Sequence, residues 1–66
     1  MSLFRNRLYR AIRDRNAAGF QFTGEDLDEF AAKIKFPVEE LEQDILALLE
    51  EGRIHCPTRS GFYEVK

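Results

Sequence analysis

Val38-Glu39-Glu40-Leu41-Glu42-Gln43-Asp44-Ile45-Leu46-Ala47-Leu48-Leu49-Glu50-Glu51-Gly52-Arg53-Ile54 decides the fold of this 66-residue chain. Val38, Leu41, Ile45, Leu48 and Leu49 recur at helical spacing and make one apolar face. Gly52 stands just past the last periodic residue, where a left-handed C′ position closes a helix. The spacing predicts a helix from Pro37 to Glu51. Arg53-Ile54-His55-Cys56 and Phe62-Tyr63-Glu64-Val65 follow as two short strand-like runs. The turn residues Pro57-Thr58-Arg59-Ser60-Gly61 lie between them, so the chain ends in a hairpin.

Working back toward the N-terminus, Phe4, Leu8, Ala11 and Ile12 mark a first helix over residues 2–17, with Ser2 as its cap and Gly19 as its stop. Phe20-Gln21-Phe22 alternates as a short strand does and is expected to pair beside the hairpin. Thr23 opens a second helix, its hydroxyl placed to accept from the Asp26 N–H, with acids where the helix dipole favours them. Leu27, Phe30, Ala31 and Ile34 form its apolar face. Pro37 then disfavours helical geometry at Phe36, which makes Lys35-Phe36-Pro37 a tight turn between helices. The expected core is Phe4, Leu8, Ile12, Leu27, Phe30, Ile34, Leu41, Ile45, Leu48, Ile54 and Val65. The fold class is α+β in a single domain over residues 1–66.

A domain this short buries only ~60% of the surface that its unfolded chain exposes, so its stability is marginal without added contacts. One cysteine cannot form an internal disulfide, and no apolar run approaches the ~20 residues that span a bilayer. Neither a secretory leader nor a membrane role is indicated, and a cytoplasmic location is the expectation.

The order of elements, closed by Leu48-Leu49-Glu50-Glu51-Gly52-Arg53-Ile54, resembles the winged helix-turn-helix superfamily over the whole chain. Ile12-Arg13-Asp14 through Gly19, followed by Thr23 at the head of helix two, is similar to the DNA-binding domain of the SOS-response repressors. The resemblance implies three helices, a short strand and a C-terminal β-hairpin wing. It also implies that the third helix enters the major groove while the wing meets the backbone or minor groove.

The charges oppose that docking. The net charge of −2 conceals a segregation of sign. Arg5, Arg7, Arg10, Arg13 and Arg15 face only Asp14 across residues 1–22. The ten acids of residues 23–52 face only Lys33 and Lys35. Glu39, Glu40, Gln43, Ala47, Glu50 and Glu51 point outward from helix three. Of these, Gln43 alone suits a base edge, and the carboxylates repel phosphate. The acidic face (Glu39, Glu40, Gln43, Glu50 and Glu51) is therefore read as a surface for a basic partner, against the bland reading of a helix kept soluble by glutamates. Asn6, Tyr9, Arg10 and Arg13 lie opposite the core face of helix one. They suit phosphates or an acidic protein, or they are a solvated face paired with the domain's own acids.

Chemistry finds little support. His55 and Cys56 point to opposite faces of a strand, and one His with one Cys falls short of a zinc site. Cys56 reads as a small core residue and His55 as exposed. No phosphate loop, catalytic carboxylate pair or cofactor motif is present, so no enzyme, cofactor, metal or small-molecule substrate is expected. The leading expectation is a non-enzymatic regulatory or adaptor module with a protein partner or a second copy of itself. The alternative is a DNA-binding transcription regulator that docks atypically through Arg10, Arg13 and Arg59 of the wing. A third reading is a decoy whose acidic face imitates nucleic acid.

Overall fold

Each helix ends where the chain turns left-handed. The computed structural model describes residues 4–56 and 63–66. Helix α1 spans Arg5–Ala17, α2 Gly24–Ile34 and α3 Val38–Glu50. After α1, Gly19 has φ +91°, and the N–H groups of Gly19 and Phe20 donate to the carbonyls of Asn16 and Arg15. After α3, Gly52 has φ +73°, and the N–H groups of Gly52 and Arg53 donate to Leu49 and Leu48. These paired bonds satisfy carbonyls that a helix end leaves open, in the Schellman pattern. The same closure ends α2, but there Lys35 takes φ +55°, a conformation in which its Cβ is crowded.

The helix starts differ. Thr23 and Asp26 form a reciprocal capping box: the Thr23 N–H donates to Asp26 Oδ2 at 2.9 Å and the Asp26 N–H to Thr23 Oγ1 at 3.4 Å. Helix α1 starts at Arg5 with Phe4 at its cap position, and Ser2, the expected cap, lies outside the described residues. Pro37 caps α3 in extended geometry, with Glu39 and Glu40 in the first turn where the dipole favours them.

Strands β1 (Ile54–His55) and β2 (Glu64–Val65) pair antiparallel, Ile54 opposite Val65 and His55 opposite Glu64. They are shorter than the expected runs, and the turn residues between them lie outside the described residues. The short strand expected at residues 20–22 contracts to one bridge, Phe22 to Tyr63, with Phe20 exposed. Asn16 replaces much of the missing ladder, since its Oδ1 accepts from the Val65 N–H at 2.9 Å and its Nδ2 donates to the Phe20 carbonyl at 3.1 Å.

The core gathers Leu8, Ile12, Phe22, Leu27, Ala31, Leu41, Ile45, Leu48 and Ile54. Phe4, Phe30, Ile34 and Val65, expected inside, are half-buried at its margin. Cys56 is exposed, contrary to expectation, because pairing stops at His55 and strand alternation does not extend to residue 56. The order of three helices and a two-stranded antiparallel sheet is compatible with a small winged-helix-like layout.

Candidate functional site

Helix α3 buries Leu41, Ile45 and Leu48 against α1 and α2, which turns the rest of its surface outward. Glu39, Glu40, Glu42, Gln43 and Glu50 are exposed, and α3 contains no Lys or Arg. Leu46 lies among them at 53% exposure. Ala47, expected to point out, is half-buried. Beside Leu46 runs an open groove of ≈ 430 Å³, with Leu49 and Tyr63 along it and Asp28, Glu42 and Gln43 at its edges. Burial pushes the Tyr63 phenol above its ordinary value, and the neighbouring Glu42 carboxylate adds to the effect.

The C-terminal end of α3 is a different surface. Arg5 reaches from α1 to Asp44, Nε to Oδ1 at 3.4 Å, and to Glu51, Nη1 to Oε2 at 3.2 Å. Arg53 approaches the other oxygen of Glu51 at 3.7 Å, donates to Asn6 Oδ1 at 3.3 Å, and stacks its guanidinium over the Tyr9 ring at 4.3 Å. Two arginines thus sit where the α3 dipole leaves negative charge. Glu51 belongs to this internal network, and Tyr9 packs beside the core under Arg53 instead of standing in the basic stripe.

Asp44 escaped the sequence reading. It is 3% exposed, and its Oδ2 has no hydrogen-bond partner among the described residues. The signal was present: position 44 follows Leu41 by three and precedes Leu48 by four, so helical spacing puts it on the buried face. An acid there calls for a cation from a neighbouring element, and Arg5 supplies it.

The basic stripe of α1 is partly engaged within the molecule. Arg13 pairs with the adjacent Asp14 at 3.2 Å, and Arg15 pairs with Asp26 at 3.3 Å while lying over the Phe20 ring. The Thr23 backbone N–H, more than any other group, holds the Asp26 carboxyl below its ordinary value; burial opposes, while the Thr23 hydroxyl and Arg15 reinforce it. Arg7 lies over the Phe4 ring at 5.6 Å. Arg10 is exposed and has no partner among the described residues. Lys33 does not sit only among acids, as its place in the sequence implied: it shares a shallow groove between α1 and α2 with Arg7, Arg10 and Asp14. Arg59 lies outside the described residues.

His55 and Glu64 face each other across the two strands, Nε2 to Oε2 at 3.6 Å. Among the described residues no three His, Cys, Asp or Glu side chains gather as metal ligands would. No helix among them is long and apolar enough to cross a membrane. The chain matches no protein-family model, no curated protein and no solved structure.

Proposed function

We propose that this chain is a small, non-enzymatic winged-helix module that acts as a regulatory or adaptor protein and presents the outer face of α3 to a basic protein partner. The observation that carries this reading is the make-up of that face. Glu39, Glu40, Glu42 and Glu50 are exposed together, and no cation of α3 itself offsets them. In the winged-helix family this position meets DNA. Here it repels phosphate and leaves Gln43 as its one good reader of a base edge. The cations that do approach α3, Arg5 and Arg53, bind Asp44 on its buried face and Glu51 at its C-terminal cap, and leave the outer glutamates open. A fluorescein-labelled all-lysine peptide tests the reading. It should bind with an affinity that falls as salt rises, and Glu39→Gln with Glu40→Gln should weaken it several-fold. Binding unaffected by that double substitution would refute the assignment.

A second reading is DNA binding through α1 and the wing. It is favoured by Arg10, unpartnered among the described residues, together with Arg7 and Lys33 around one groove. Retention on duplex DNA that falls steeply with salt separates it from the first, since only cation–phosphate contact releases counterions.

A further inference from the structure

The groove beside Leu46 gives the acidic face a specificity that charge alone lacks. Leucine on a helix surface is ordinary when isolated. Leu46, however, is 53% exposed at the lip of a ≈ 430 Å³ groove that continues over half-buried Leu49 and Tyr63. Leu27 and Ile45 of the core reach its floor. Its charged edges are Asp28 on α2 and Glu42 on α3, and no Lys or Arg lines it among the described residues. An apolar trough between two carboxylates is complementary to an apolar side chain flanked by cations. A nucleic acid fits neither feature.

We infer that the groove binds a basic segment of a protein partner by taking up one large apolar side chain, a leucine or residue of similar size, while Asp28 and Glu42 engage lysines or arginines on either side. This deepens the proposed function and rests on it. The acidic face supplies attraction at a distance, and the groove selects among basic segments those carrying an apolar anchor. Burying one such side chain against Leu46, Leu49 and Tyr63 strengthens binding about tenfold.

Two fluorescein-labelled peptides of equal length test the inference by polarisation: one all lysine, the other lysine with a central leucine. The leucine peptide should bind about tenfold more tightly. Leu46→Ala, which removes an exposed side chain and leaves a good helix former, should abolish most of that preference and scarcely alter binding of the all-lysine peptide. Asp28→Asn with Glu42→Gln should weaken both peptides. Equal affinity for the two peptides would overturn the groove assignment and leave the acidic face standing. So would a leucine preference that survives Leu46→Ala. Failure of both peptides to bind at low salt would overturn the proposed function as well. Self-association in sedimentation that Leu46→Ala abolishes would also overturn the inference, by giving the groove to a second copy of the chain.

Discussion

Removing the guanidinium of Arg5 should cost this domain a large share of its stability. Asp44 lies at 3% exposure between Leu41 and Leu48, and Arg5 is its one ion-pair partner among the described residues. Arg5→Met keeps an unbranched stem but leaves a buried carboxylate without its cation. Breaking a fully buried pair in this way costs ~3–5 kcal/mol. The Arg5 side chain is 24% exposed and shared with Glu51, so water already screens part of the attraction. The expected loss is therefore about 2 kcal/mol. A domain of this size holds roughly 3–5 kcal/mol in all, and its urea slope is about 1 kcal/mol/M. The midpoint of urea unfolding, followed by circular dichroism, should fall by about 2 M. Arg5→Met with Asp44→Leu removes both charges and fills the site with apolar volume, so it should recover to within about 1 kcal/mol of the parent. A single variant less than about 0.5 kcal/mol destabilised, or a double variant as unstable as the single, would refute the pairing.

Asp26 gives a pH signature. Its carboxyl is held below its ordinary value in the folded chain, so the stability it contributes is complete above the unfolded value, about 3.9, and is lost as pH falls through the lower folded one. Asp26→Asn should cost about 1 kcal/mol at neutral pH, and its deficit should shrink in urea titrations below about pH 4; a deficit constant with pH would contradict the cap. Lys35→Gly should raise stability by about 0.5–1 kcal/mol, since Lys35 closes α2 at φ +55°, where a Cβ is strained; a loss in thermal unfolding would show that the lysine side chain matters more than its backbone. If the second reading holds, Arg10→Ala with Arg13→Ala should flatten the salt slope of duplex-DNA affinity by about two units. If α1 serves a protein instead, the same change should alter apparent mass in sedimentation or weaken a pull-down, with DNA retention unmoved.

Periodicity made most of the fold legible. The apolar spacing of α2 and α3, the capping residue Thr23 and the closing Gly52 each specify local structure within a turn of helix. The pairing of residues 20–22 beside the hairpin is legible, but a three-residue alternation cannot reveal that it contracts to one bridge at Phe22 or that Phe22 turns inward. The Asn16 side chain, which bonds to backbone far along the chain, leaves no local trace. Strand alternation extended through residue 56 places Cys56 inside, but the pairing ends at His55 and leaves it exposed. The acidic outer face of α3 was readable from the wheel, but not which charges remain open. Arg5 reaches Glu51 from the far end of the chain, Arg53 folds back on it from just past Gly52, and Lys33 joins Arg7 and Arg10 only once α1 and α2 pack. The groove beside Leu46 is likewise a property of three elements brought together.

A nitrogen-15 NMR titration tests the central claim that the outer face of α3 meets a basic protein and not DNA. Short duplex DNA is added to one labelled sample at moderate salt, and the all-lysine peptide to a second sample free of DNA, where it cannot be taken up by phosphates. Amides of residues 38–47 should stay in place through the DNA addition and move on addition of the peptide. Saturable shifts at Glu39, Glu40 and Gln43 during the DNA addition would contradict the account.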